Sequence, residues 1–152
     1  MYLNCHTYYS LRYGMMSVEQ LVQNAAAAGA DAIALTDINN STGIPEFAGE
    51  CSKSGIRPVG GIEFRNGNEL LYIGIARNNN GMRELNEFLS NHNFDKTPVE
   101  FPAPAFSDAY IIYPIKKIPE RKLFDNERTG IKISELNRLL TMTGSVSRDA
   151  MV

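Results

Sequence analysis

Apolar positions along the first two-thirds of the chain switch repeatedly between two spacings. Met1 to Cys5 is short and apolar, which predicts a first strand. Ser17 followed by Gln20 is a capping-box pattern, in which the serine hydroxyl satisfies an early helical N–H. Val18, Leu21, Val22 and Ala25 then recur at helical spacing until Gly29 can close the helix. Asp31 to Thr36 holds the run AIAL, too short for a typical helix and bounded by polar residues, so a buried strand is expected. From about Thr42 to Ser54 the chain offers a cap, Pro45 in the first turn, a stripe of Ile44, Phe47, Ala48 and Cys51, and Gly55 as terminator.

Ile56 to Phe64 predicts a third strand and Glu69 to Ala76 its partner. Asn66-Gly67 between them suits the positive φ angles of a tight type I′ hairpin. After a turn at NNNG, Met82, Leu85, Phe88 and Leu89 share one face of a third helix, with Arg83, Glu84 and Glu87 on the other. The order is β-α-β-α-β-β-α. Parallel strands need such crossovers, so a layered or barrel-like α/β domain is expected.

Beyond His92 the pattern loosens. Pro98, Pro102 and Pro104 interrupt regular structure, because proline lacks a donor N–H and restricts its predecessor. Ala109 to Tyr113 and Arg128 to Ile133 read as short strands, and Ser134 as the cap of a last helix bearing Leu136, Leu139 and Leu140. The organisation expected is a β/α core over 1–93, a proline-containing linker or loop over 94–108, further strands and a helix of the same domain over 109–142, and an irregular tail over 143–152.

Composition narrows the classes. A chain of 152 residues, 43% hydrophobic and 21% charged, fits one soluble globular domain rather than a disordered or membrane protein. A net charge of -2 gives no whole-domain reason for tight binding to a phosphate backbone, so direct DNA contact is not assigned. Cys5 and Cys51 lack CxxC spacing, and the N-terminus has no basic stretch with a long apolar run. A cytoplasmic protein with reduced thiols is expected.

His6, Asp37 and Glu63 each stand just past the C-terminal end of an expected strand, the edge where ligands collect in parallel α/β folds. NCHTYYSLRYG, ALTDINNSTGIPEF and GIRPVGGIEF, in this order and spacing, resemble the first motifs of the PHP (polymerase and histidinol phosphatase) domain. They are most similar to the PHP region at the N-terminus of bacterial DNA polymerase III alpha subunits. The resemblance covers residue 1 to about Leu89. It implies a distorted (β/α)7 barrel, partial or abbreviated here, with mainly parallel strands and one hairpin.

In active members the resemblance implies a His-x-His opening, an acidic residue ending the next turn, Asp-His after the second strand, Glu after the third, and later His and Asp residues around a metal cluster. The matching positions are Asn4 and His6, then Tyr13, then Asp37 with Ile38, then Glu63; a later histidine would fall near Leu71 or Tyr72. An amide oxygen binds transition metals weakly and an isoleucine side chain has no ligand atom. The chain holds two histidines, His6 and His92, too few for a histidine-rich cluster. The expectation is a vestigial cluster of His6, Asp37 and Glu63, with Asn4 and Ile38 at lost-ligand positions. No cofactor is expected, a weak single zinc or manganese ion being the alternative.

Plainer readings stand beside these. His6 can donate to a backbone carbonyl, Asp37 can cap the turn into the next helix, and Glu63 can be an ordinary ion-paired residue. Cys51, on an apolar helix face, reads as a buried, inert thiol, and KKIPERK at 116–122 as a solvated loop. Catalytic and nucleic-acid-binding residues stay unassigned. The resemblance implies a replication role within a polymerase alpha-type subunit, a structural one because ligands are lost. The polymerase's own paired carboxylates are absent, so this chain is not expected to polymerise DNA alone. The partners implied are the rest of that subunit or a proofreading exonuclease. Two alternatives are a stand-alone metal-dependent phosphoesterase and a small binding module presenting Tyr8, Tyr9 and Tyr13. An incomplete barrel would also leave a strand edge open to a homodimer.

Overall fold

In the computed structural model the described residues are 1–132 and the backbone of 150–151. Their elements run β1 (Tyr2–Cys5), α1 (Val18–Ala27), β2 (Ala32–Leu35), α2 (Ile44–Ser54), β3 (Arg57–Asn66), β4 (Glu69–Ala76), α3 (Asn79–Asp95), β5 (Ala109–Pro114), β6 (Glu127–Gly130) and β7 (Ala150–Met151). The strands form a seven-stranded sheet in sequence order. Strands β1, β2 and β3 are mutually parallel, as are β5, β6 and β7, while β4 runs antiparallel to both its neighbours. This mixed sheet with its helices is a half-barrel of the α/β class.

Helix α1 starts where the sequence places it. Ser17 Oγ accepts from the Gln20 N–H while the Gln20 side chain accepts from the Ser17 N–H, closing the capping box. Helix α2 ends at Gly55, whose φ of 68° is the left-handed conformation that glycine adopts without a Cβ clash. Its start differs from expectation: Gly43 is the N-cap without a side-chain hydrogen bond, so Thr42 does not cap. Ala48 is exposed, leaving Phe47 and Cys51 as the helix's buried residues. Helix α3 absorbs the expected NNNG turn. Asn78 caps it by accepting from the Gly81 N–H, so residues 79–81 form its first turn.

The hairpin also departs in detail. Asn66 pairs with Glu69, so the loop is Gly67-Asn68, and of these only Gly67 has positive φ. Glycine at the first central position is the pattern of a type II′ rather than a type I′ turn. Strand β6 begins at Glu127 and pairs in parallel with β5. The expected helix after Ser134 lies outside the described residues. Of the stretch 143–152, residues 150 and 151 form β7.

Packing divides between the two sheet faces. Helices α1 and α2 bury Val18, Leu21, Val22, Phe47 and Cys51 against Ile33 and Leu35. Helix α3 lays Leu85 and Leu89 over Ile62, Phe64 and Tyr72, and the irregular segment 97–108 adds Val99, Ala103 and Phe106 to that cluster. Each large side chain so buried contributes about 1.5–3 kcal/mol. Ala34, Ile73, Ile75 and Ile112 pack together on the opposite face. Glu63 and Ile73 are direct cross-strand partners and so share that face, which places a carboxylate beside an apolar cluster.

The basic run 116–122 is more than a solvated loop. Arg121 forks onto the buried Glu127, and Lys117 pairs with Glu69.

Candidate functional site

Parallel pairing sets the C-terminal ends of β1 and β2 beside the middle of β3, so Glu63 lies within that strand rather than past its end as expected. Ile38, just past β2, bridges to Glu63, whose N–H donates to Asp37 O at 3.2 Å. The three segments singled out in the sequence therefore meet at one edge of the sheet.

Glu63 is the hub. Its side chain is 1% exposed, and Asn4 Nδ2 donates to Oε2 at 2.9 Å. His6 Nε2 lies 3.1 Å from the same oxygen, the spacing of an imidazole N–H donating to a carboxylate. Arg65 Nε donates to Oε1. Burial pushes the Glu63 carboxyl up, yet hydrogen bonds from His6, Asn4 and Arg65 outweigh it and hold the group below its ordinary value. His6 thus reaches a carboxylate instead of a backbone carbonyl. Asn4 is fixed at both ends, because its Oδ1 accepts from Thr36 Oγ1 at 2.6 Å.

Asp37 belongs to a second, equally closed cluster. Its Oδ1 accepts from the Thr7 N–H at 2.7 Å and Ser10 Oγ at 2.6 Å, and its Oδ2 accepts from Thr7 Oγ1 at 2.7 Å. Ser10 Oγ in turn accepts from the Ile38 N–H at 2.9 Å. The carboxylate thereby ties the β1–α1 loop back to the end of β2. It does not cap its own turn. Gly14 completes that loop by close approach, since a Cβ there would stand 2.0 Å from Thr7 O.

His6 and Glu63 are therefore brought into contact, whereas Asp37's acceptor bonds go to Thr7 and Ser10. Among the described residues no group of three or more His, Cys, Asp or Glu side chains is arranged to hold a metal ion. Both oxygens of Glu63 and both of Asp37 already accept hydrogen bonds, Asn4 spends its amide oxygen on Thr36, and Ile38 has no ligand atom.

Sequence reasoning missed Arg65, Thr7, Ser10 and Thr36 as members of these clusters. Arg65 was legible in principle, lying two positions beyond Glu63 on a strand, where alternate residues share a face. The tyrosines surround the edge unevenly: Tyr8 and Tyr13 are exposed, Tyr9 is half-buried, and the Arg65 guanidinium lies 4.3 Å from the Tyr13 ring centroid. No helix among the described residues is long and apolar enough to cross a membrane.

A mixed-sheet half-barrel whose polar side chains converge beside the C-terminal ends of β1 and β2 is an α/β barrel-type protein. The family model of the PHP domain matches residues 3–136, and the chain belongs to that family. It is 36% identical over 92 residues to the DNA polymerase III subunit alpha of Staphylococcus aureus, covering 59% of this chain and 9% of that protein. It is 35% identical over 95 residues to the Escherichia coli subunit, covering 59% of this chain and 8% of that one. The chain thus spans less than a tenth of the length of these curated relatives. Among solved structures, a Bifidobacterium adolescentis protein named as a metal-dependent phosphoesterase matches with a TM-score of 0.54 and 13% identity over 91% of this chain and 81% of that one. That likeness shows the fold.

Proposed function

We propose that this chain is the N-terminal PHP region of a DNA polymerase III alpha-type subunit, with a degenerate metal site and a structural role in replication in the cytoplasm. The observation that supports the reading is that both oxygens of each buried carboxylate are engaged by protein donors. Glu63 and Asp37 accept from protein donors at every oxygen, so an ion would have to break several charge-assisted hydrogen bonds to bind. What these bonds do instead is tie the ends of β1 and β2 to each other and to the middle of β3. The partner is the rest of a polymerase alpha-type subunit or its proofreading exonuclease, and the identity to two bacterial alpha subunits supports that choice. Among the described residues β1 pairs only with β2, so its outer edge is the surface at which a second copy could add.

The test is a phosphatase assay on chain purified without chelator, using p-nitrophenyl phosphate with added manganese or zinc, alongside elemental analysis. The expected result is neither bound metal nor activity above background. Metal-dependent hydrolysis that His6→Ala abolishes would replace this reading with that of a phosphoesterase. Mixing the chain with an alpha subunit lacking its own N-terminal region checks the partner, complex formation in gel filtration being expected.

A further inference from the structure

A carboxylate as shielded as Glu63 needs a cation or a proton. The structure supplies the cation from the same strand. The pairing of β3 with β4 shifts register between Phe64 and Arg65, and Arg65, 12% exposed at its side chain, ion-pairs with Glu63. Three further contacts hold it there. The Tyr13 ring lies 4.3 Å from the guanidinium carbon, the Arg65 N–H donates to Asn39 Oδ1 at 2.9 Å, and Asn39 Nδ2 donates to Arg65 O at 2.9 Å. Tyr13 thus offers a π face, which suits an organic cation.

We infer that Arg65 is a built-in counter-cation, whose guanidinium takes the charge position beside Glu63 and thereby keeps divalent ions out. A zinc ion on Glu63 Oε1 would sit about 2.0–2.2 Å from that oxygen, space that Arg65 Nε occupies. Removing the guanidinium leaves the Glu63 carboxylate and the His6 imidazole beside a vacated charge position, while Asn4 turns its NH2 to Glu63 and adds no ligand atom. That set would take one ion weakly. The inference rests on the degenerate-site reading and adds the device that enforces it.

The experiment is calorimetric titration of zinc chloride into the 152-residue chain and into Arg65→Met, Arg65→Lys and His6→Ala/Arg65→Met variants, with circular dichroism to verify folding. Arg65→Met is expected to bind one zinc ion at least about tenfold more tightly than the parent. The added His6→Ala should abolish that gain, and Arg65→Lys, which keeps a cation, should behave as the parent. A folded Arg65→Met with no gain overturns the inference and leaves the degenerate-site reading intact. Zinc bound by the parent as tightly as by Arg65→Met overturns the inference, and if it comes with phosphatase activity it overturns both. Should Arg65→Met fail to fold, Glu63→Gln/Arg65→Met removes both charges. Recovered folding then supports the counter-cation, and continued unfolding overturns it.

Discussion

Arg121 grips Glu127 with both arms of its guanidinium, Nη1 to Oε2 at 2.6 Å and Nη2 to Oε1 at 2.7 Å. The Phe124 N–H and the Tyr113 hydroxyl add bonds of 2.7 Å and 2.9 Å to the same carboxylate. Burial pushes the Glu127 carboxyl up, but Arg121, the Phe124 N–H and Tyr113 outweigh it and hold it below its ordinary value. A folded-state value below the unfolded one means that the contribution is fully present above the unfolded pKa and is lost as pH falls through the folded one. Thermal unfolding between about pH 7 and about pH 3 should therefore show a flatter acid limb, and a lower neutral plateau, for Glu127→Gln than for the parent. Parallel acid limbs in the two proteins would show that Glu127 contributes nothing to the acid response.

Asp37 sits amid three donors, so the identity of the group matters more than its shape. Asp37→Asn can keep an oxygen for the Thr7 N–H and the Ser10 hydroxyl with its NH2 toward Thr7 Oγ1, but it removes the charge from all three bonds and should cost about 1–3 kcal/mol in urea unfolding. Ser10→Ala, which strips a donor from Asp37 and an acceptor from the Ile38 N–H, should cost about 1–2 kcal/mol. Equal stability of Asp37→Asn and the parent would contradict the hydrogen-bond assignment.

Gly74 and Leu85 meet across the contact between β4 and α3. A Cβ at Gly74 would stand 2.6 Å from Leu85 Cδ2, and Leu85 is fully buried. Gly74→Ala should cost about 1–3 kcal/mol through overpacking, and Leu85→Ala about 2–5 kcal/mol through the cavity it leaves. The double variant should lose less than the sum, because the added methyl enters the vacated volume. Strict additivity in denaturant titrations would mean that the two residues do not share that space.

The sequence carries the fold through its local signals. Ser17 with Gln20, Pro45 with Gly55, and the apolar runs of β3 and β4 on either side of Gly67 each encode an element that forms largely as expected. The elements misjudged are those where a polar residue had two uses. The asparagines before Met82 read as a turn because asparagine favours turns, yet Asn78 caps a helix that takes in its two successors. The site was half legible for a related reason. His6 and Asp37 follow the ends of β1 and β2, as expected, whereas Glu63 lies within β3 and joins them because that strand runs on past its parallel neighbour, and which donors satisfy the three depends on contacts between residues far apart in sequence. Thr7 and Ser10 reach Asp37 from the β1–α1 loop, and no spacing within a single segment could announce that.

Asn39 shows how narrow such a solution can be. Its side-chain amide copies the donor and acceptor of a peptide group and clasps both main-chain atoms of Arg65, while its own backbone sits at a φ of 45°. Aspartate would tolerate that conformation but bring only acceptors, glutamine would carry the right amide on a stem one methylene too long, and glycine would bring nothing to bond with. A single side chain therefore prolongs the sheet where the main chain of β2 has already turned away, and the genetic code offers one amino acid that can do it.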